Sequence, residues 1–222
     1  LTNNNPVPKK GEADTSAAYM GQGFSQYVKF ETIFKHYLNF NKNNQLASRF
    51  TAGVGIPTGD AKSLPYIKQF FAGGSNSIRA FHTRSLGPGS YVPKDEGLKS
   101  LFLDQAGDIK LEINTEYRFT IFDVLKGAIF LDVGNIWLAN EDPQRPGGKF
   151  EMKTFMDELA VGSGFGFRID PDFFVLRFDF GFPLRKPYLP KGKRWVSSQI
   201  DFASSEWRKE NVILNIAIGY PF

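Results

Sequence analysis

A strict alternation of polar and apolar side chains constrains this sequence more than any other feature. Between residues 108 and 119, polar or charged side chains occupy every even position, and Ile, Leu, Tyr, Phe and one Thr occupy the odd positions. Because successive side chains of a β-strand point to opposite faces, this period of two predicts a strand with one charged face and one apolar face. Similar alternation predicts seven strands in all, at residues 25–38, 46–57, 107–120, 126–137, 158–170, 172–182 and 208–222.

Two classes of β-protein carry such strands. In a soluble sandwich the apolar faces form the core, whereas in a membrane barrel the apolar faces meet lipid and the charged faces line a watery lumen. The segments are about 11 to 13 residues long, close to what a tilted membrane strand needs and about twice an average soluble strand. Short connections alternate with long polar ones at residues 57–106, 139–157 and 184–208, and the alternation continues to Phe222. These details favour the barrel.

Composition excludes several other classes. No apolar run approaches the roughly 20 residues that a membrane-spanning helix requires, although aromatic residues make up 15% of the chain. The net charge is +4, but Lys and Arg are interspersed with Asp and Glu, which argues against a nucleic-acid-binding surface. The chain has no Cys, so neither disulfides nor thiolate metal sites are expected.

Enzyme chemistry finds little support in the sequence. The two histidines, His36 and His82, lie far apart, and no G-x-S-x-G nucleophile elbow is present. The glycines at 162, 164 and 166 lie within a predicted strand and lack the G-x-G-x-x-G spacing of a nucleotide loop. We therefore expect no catalytic residues, no metal and no cofactor.

Seven strands cannot close a barrel in lipid, because both sheet edges would expose unpaired backbone groups to hydrocarbon. The expected fold class is therefore an all-β, transmembrane antiparallel β-barrel of which this chain supplies about seven strands. The rest of the wall would lie on sequence before Leu1 or on another chain. Residues 1–23 are expected to form a polar loop or the end of a preceding strand, and residues 24–222 the barrel part with its long loop at 57–106.

Three segments carry a resemblance to a known family. They are FFAGGSNSIRAFHTRSLGP at residues 70–88, FLDVGNIW at 130–137 and GSGFGFRIDPDFFVLRFDFGFPL at 162–184. In this order, and with the terminal Phe222, they resemble the C-terminal barrel half of the BamA/TamA superfamily of outer-membrane protein assembly factors. The resemblance implies an integral protein of the outer membrane of a Gram-negative bacterium, with about sixteen strands and preceding periplasmic domains.

The resemblance also implies a set of structural site residues. In that family a long extracellular loop folds back into the lumen and carries a Val-Arg-Gly-Phe or Tyr motif, and a later strand carries a Phe-x-Asp-x-Gly motif and an earlier one a carboxylate. The matching residues are Ile78, Arg79, Ala80 and Phe81 in the loop, Phe130, Asp132 and Gly134 on the later strand, and Glu112 as the second carboxylate. Ala80 stands where the family usually has glycine.

A physical argument supports the same pairing. A guanidinium removed from bulk water needs charge-assisted, preferably bidentate partners, and lumenal carboxylates could supply them to Arg79. Asp108 and Glu116 share a face with Glu112 and could serve in its place.

The resemblance implies a factor that inserts outer-membrane proteins or translocates a passenger. The barrel seam would template substrate strands by β-augmentation, and one side of the seam would be the last strand, carrying Val212, Leu214, Ile216, Ile218, Tyr220 and Phe222. Partners would be the lipid bilayer, unfolded outer-membrane proteins, the missing periplasmic domains and barrel strands, and accessory lipoproteins. Two alternatives stay open: a two-partner secretion pore that exports one dedicated protein, and a passive barrel or anchor.

Overall fold

The computed structural model describes residues 26–59, 63–92, 105–171 and 173–222. They form one antiparallel sheet in which each strand pairs with its neighbour in the sequence. The strands are β1 (Gln26–Asn41), β2 (Asn44–Thr58), β3 (Ile109–Thr120), β4 (Leu125–Trp137), β5 (Ala160–Ile169), β6 (Leu176–Arg185) and β7 (Ile213–Ile218). The expected fold class, part of an antiparallel β-barrel, is confirmed. Residues 1–23 and part of the 57–106 loop lie outside the described residues.

The two faces of the sheet differ as the alternation predicts. On β3, the side chains of Glu112, Asn114 and Glu116 are buried, whereas Ile113 and Tyr117 are exposed on the opposite face. The same split continues across the sheet, since Asp132 and Arg168 are buried while Ile129, Leu131 and Phe165 on the opposite side of β4 and β5 are exposed. We call the charged side the inner face and the apolar side the outer face.

Connections at the two ends of the strands differ in length. Short turns join β1 to β2, β3 to β4 and β5 to β6, whereas long segments join β2 to β3, β4 to β5 and β6 to β7. In the described ranges the long segments contain three 3-10 turns, at Tyr66–Lys68, Phe155–Glu158 and Ser197–Gln199, and one short helix, α1 (Ser205–Asn211). None of the helices in the described part of the chain is long and apolar enough to cross a membrane.

The apolar core lies between the inner face and the segment that joins β2 to β3, here called the β2–β3 loop. This cluster joins loop residues to residues of β4 and β5, and consists of Phe70, Ala72, Ile78, Ala80, Phe81, Leu86, Ile136 and Ala160. The loop therefore runs back along the inner face instead of standing out in solvent.

The last strand is shorter than the alternation predicts. Leu214, Ile216 and Ile218 are exposed on the outer face of β7, as expected. Val212 lies outside the strand, because its N–H completes helix α1 by donating to the carbonyl oxygen of Arg208 (2.9 Å).

The prediction that Tyr220 and Phe222 continue the strand is wrong. Gly219 has a φ of +88°, and the backbone leaves the sheet there. Cations attract the two rings on the inner side: the Arg118 guanidinium lies 4.4 Å from the Tyr220 ring centroid, and the Arg49 guanidinium 5.0 Å from that of Phe222.

The lipid-facing assignment of the outer face leads to a test on β4. Leu131 is exposed near the middle of this strand, and Phe122 is exposed in the turn that precedes it. We expect Leu131→Arg to lower the free energy of unfolding in lipid vesicles by about 2–4 kcal/mol, and Phe122→Arg by at most about 1 kcal/mol, because the cost of a cation depends on its depth in the bilayer. Equal effects of the two substitutions would contradict the assignment.

Candidate functional site

Arg79 is the centre of the site. Its side chain is 1% exposed, and its neighbours Ile78 and Phe81 on the β2–β3 loop are buried in the apolar core between the loop and the sheet. A charged group is costly to bury unless it is paired and hydrogen-bonded, so the surroundings of Arg79 determine whether the loop can dock.

Asp132 on β4 binds Arg79 through both carboxylate oxygens. Arg79 Nε donates to Oδ2 (2.8 Å) and Nη2 donates to Oδ1 (3.0 Å), which is a bidentate fork. The backbone N–H of Arg79 also donates to Oδ2 (3.1 Å). The structure therefore brings together the arginine and the aspartate that the sequence motifs single out.

Two more carboxylates complete the surroundings of Arg79. Nη1 lies 2.5 Å from Glu116 Oε2 on β3 and 3.5 Å from Asp179 Oδ2 on β6. The guanidinium lies over the ring of Phe130, 3.5 Å from its centroid, which adds a cation–π contact. Burial alone would lower the pKa of Arg79, but the charges of the three carboxylates raise it above its ordinary value.

The wall contributes further arginines that neutralise the same carboxylates. Arg168 reaches Glu116 (3.0 Å) and Asp179 (2.7 Å), while Arg118 pairs with Glu116 (2.9 Å). Arg177 lies 3.3 Å from Asp179. The sequence pattern placed these residues on the inner face, but it did not indicate that they form one network with Arg79.

Glu112 does not have the role expected of it. No hydrogen bond or ion pair joins it to Arg79 in the described structure; Glu112 accepts from the Ser77 hydroxyl and pairs with Lys110 (3.1 Å). The reason is register: Glu112 stands opposite Gly134, whereas Glu116 stands opposite Phe130, whose ring lies beneath the guanidinium. Asp108, the other alternative, instead accepts from the backbone N–H groups of Leu64 and Ala139.

Four backbone carbonyls between Ser75 and Arg79 are held by side chains of four strands. Arg177 Nη2 donates to Ser75 O (3.0 Å), Arg49 Nη2 to Asn76 O (2.8 Å), Asn114 Nδ2 to Ser77 O (2.9 Å) and Asn215 Nδ2 to Arg79 O (2.9 Å). These donors lie on β6, β2, β3 and β7, respectively. Bonds to backbone leave no signature in the loop sequence, so sequence reasoning missed them.

Glycines on β5 and β6 give the loop the space that it occupies. A Cβ on Gly162 would overlap the Cβ of Ala80, and a Cβ on Gly181 would lie 2.6 Å from the carbonyl oxygen of Arg79. Ala80 has no positive φ, since Arg84 is the one non-glycine residue with a positive φ in the described ranges. Alanine therefore fits where the family usually has glycine, and the missing Cβ of Gly162 makes room for it.

Gly134 has a similar role on β4. A Cβ there would overlap the carbonyl oxygen of Leu111 and lie 2.9 Å from the Cα of Glu112.

Within the described ranges, no three His, Cys, Asp or Glu residues cluster in a way that could hold a metal ion. The chemistry that this arrangement supplies is ionic and hydrogen-bonded attachment of a loop to a β-sheet wall.

Comparison with known proteins gives the family. A family model described as the Omp85 superfamily domain matches residues 2–202. The chain belongs to the Omp85 superfamily. This confirms the resemblance to the BamA/TamA superfamily, and the chain is an integral β-barrel protein of the outer membrane of a Gram-negative bacterium.

Individual relatives are distant. The chain is 22% identical over 152 residues to the outer membrane protein assembly factor BamA of Neisseria meningitidis serogroup B. The matched region covers 60% of the chain and 18% of BamA. The crystal structure of BamA from Haemophilus ducreyi lacking POTRA domains 1–3 has a TM-score of 0.55 at 17% identity, covering 73% of the chain and 32% of that structure. CdiB from Acinetobacter baumannii has a TM-score of 0.46 at 15% identity, covering 86% of the chain and 26% of CdiB. The chain thus spans less than a third of each.

The pairing of Ala80 with Gly162 yields a test of loop docking. We expect Gly162→Ala to lower the free energy of unfolding by about 1–3 kcal/mol, because the added methyl group overpacks the contact with Ala80. The double variant Gly162→Ala with Ala80→Gly should recover most of this loss, as measured by denaturant unfolding or heat-modifiability on gels. If the double variant had a lower free energy of unfolding than Gly162→Ala alone, residues 80 and 162 would not compete for the same space.

Proposed function

We propose that this chain is part of an assembly factor that inserts outer-membrane proteins, with β7 forming one side of a seam that templates substrate strands. The observation that carries the proposal is the short length and the one-sided pairing of β7. It has six residues, whereas β1 to β6 have between 10 and 16, and among the described residues it pairs with β6 alone. A short strand makes few ladder bonds, which favours a seam that opens.

Backbone groups on the open edge of β7 could pair with a substrate strand. The N–H of Gly219 donates to the carbonyl oxygen of Val175 (2.7 Å), which marks a hydrogen-bonded rung between the two chain segments. Because such rungs alternate in an antiparallel pair, the N–H groups of Leu214, Ile216 and Ile218 point away from β6. Strand addition at such an edge gains affinity from main-chain bonds and tolerates many side-chain sequences.

The docked loop supports β7 from the inner side. Asn215 stands opposite Asp179 on the β6–β7 ladder and donates to the carbonyl oxygen of Arg79 (2.9 Å). The same carbonyl lies against Gly181, which stands opposite Ile213. The loop therefore contacts the ladder at the seam strand, so its docking contributes to the shape of that edge.

A proline substitution tests the templating edge. Proline lacks an N–H, so Ile216→Pro removes a donor from the open edge and leaves the bonds to β6 in place. We expect this variant of the intact protein to fold but to insert a substrate barrel into lipid vesicles about 5- to 12-fold more slowly, which corresponds to the loss of a bond worth roughly 1–1.5 kcal/mol at the rate-limiting step.

The matched control is Ile216→Ala, which removes the same side chain but keeps the N–H. It should insert substrate at nearly the rate of the unchanged protein. Full activity of Ile216→Pro would show that templating does not use this edge, and no insertion by the unchanged protein would favour a passive barrel or anchor.

A two-partner secretion pore is the second candidate, and the docked loop distinguishes it from an assembly factor. Export through the lumen requires the loop to leave the inner face, whereas seam templating lets it stay. The chain has no Cys, and the Ser77 hydroxyl on the loop donates to the Glu112 carboxylate on β3, so Ser77→Cys with Glu112→Cys places two thiols within reach of a short bis-thiosulfonate cross-linker. We expect the cross-linked double variant to retain insertion activity. Activity lost on cross-linking and restored by reduction, with both single variants unaffected by the reagent, would instead support the pore.

A further inference from the structure

The segment that joins β6 to β7 carries the excess positive charge of the chain. Residues 185–211 contain seven Lys and Arg residues and three Asp and Glu residues. This excess of four equals the net charge of the whole chain, +4, so the remaining residues are balanced in charge. The positive charge is therefore localised next to the last strand.

Aromatic contacts place part of this segment against the outer face. Phe182 is an outer-face residue of β6, and the ring of Phe202 packs edge-to-face on it with centroids 5.1 Å apart. Trp207 of α1 packs in the same way on Phe202, again at 5.1 Å. Helix α1 thus lies beside the lipid-facing surface at the long-loop end of the strands. Aromatic residues at this level are typical of the girdle where a barrel wall meets the lipid headgroups.

Two basic residues of α1 lie at that level. Arg208 and Lys209 are exposed in the last turn of the helix. Arg208 Nη1 donates to the carbonyl oxygens of Phe202 (2.5 Å) and Ala203 (2.8 Å), so the guanidinium is held beside the aromatic contacts. Its position is therefore fixed relative to the wall before any ligand arrives.

A hairpin supplies further cations beside α1. The backbone pairs Arg185 with Trp195, and Lys186 N donates to Arg194 O (2.9 Å), which leaves Lys191 and Lys193 exposed near the tip. Lys186 Nζ also donates to Asn211 Oδ1 (2.8 Å), which ties the base of the hairpin to the end of α1. The base of the hairpin therefore contacts the end of α1. Residues 185–195 of the hairpin contain five Lys and Arg and no Asp or Glu, whereas α1 carries Arg208 and Lys209 together with the exposed Glu206 and Glu210.

We propose that this basic surface, formed by Lys191, Lys193, Trp195, Arg208 and Lys209, binds the phosphate groups of the glycolipid in the outer leaflet of the outer membrane. Long loops mark the cell-surface end of a bacterial barrel, so the surface faces that leaflet. Phosphates accept strong charge-assisted bonds from Arg and Lys, and the exposed Trp195 can lie among the headgroups. An acidic protein partner would not explain why the cations adjoin aromatic rings on the lipid-facing side.

The test is binding of purified lipid A to the intact protein in micelles, counted by native mass spectrometry. Each cation near an anionic lipid surface contributes roughly fivefold in affinity. We expect Arg208→Gln with Lys209→Gln to weaken binding by about 25-fold, and Lys191→Gln with Lys193→Gln to weaken it similarly. The second pair lies in an exposed hairpin, so its result stands even if the helix variant fails to fold.

Two controls make the outcome decisive. Lys149→Gln with Lys153→Gln changes the net charge equally in the β4–β5 segment, where both residues are exposed, and should leave lipid A binding unchanged. Dephosphorylated lipid A should bind at least tenfold more weakly than lipid A, and inorganic phosphate should not compete at millimolar concentration. Equal losses in all three double variants, or equal binding of dephosphorylated lipid A, would overturn the proposal.

Discussion

A buried guanidinium is stable only where carboxylates surround it, and Arg79 meets this condition because β3, β4 and β6 each place one carboxylate against it. The loop path, the strand register and the space left by glycines all converge on this contact. If β3 shifted by one residue against β4, Glu116 would turn to the outer face and the carboxylate triad would be lost. Arg79 can therefore be buried only when the strands pair in the correct register, and its ion pairs stabilise that register.

Charge and backbone bonds have different parts in holding the loop. The charged network selects one position along the inner face, because only there does Arg79 find a bidentate partner in Asp132. The donors to loop carbonyls then hold the neighbouring backbone, whatever its side chains are. Removing Arg79 would leave three buried carboxylates with fewer cations, which is costly in a medium of low polarity. The docked loop is thus part of the wall's own stability.

Much of this arrangement could be predicted from the alternation of side chains. The period of two located the strands and assigned Asp132 to the inner face, and the family resemblance paired it with Arg79. The same period could not choose between Glu112 and Glu116, because both share one face and the choice depends on where the loop docks. The turn at Gly219 escaped prediction for a similar reason: Tyr220 and Phe222 keep the alternation, but Arg118 and Arg49 attract their rings to the inner side.

The ionic attachment of the loop can be measured most directly by exchanging the two charges. We expect Arg79→Glu alone to lower the free energy of unfolding by about 3–5 kcal/mol, because it breaks a buried ion pair and adds a fourth carboxylate. Asp132→Arg alone should be similarly costly, and the double exchange should recover part of the loss, giving a coupling energy of at least about 1 kcal/mol in denaturant unfolding. Unchanged unfolding and heat-modifiability of Arg79→Glu, or strictly additive effects in the double variant, would contradict the account.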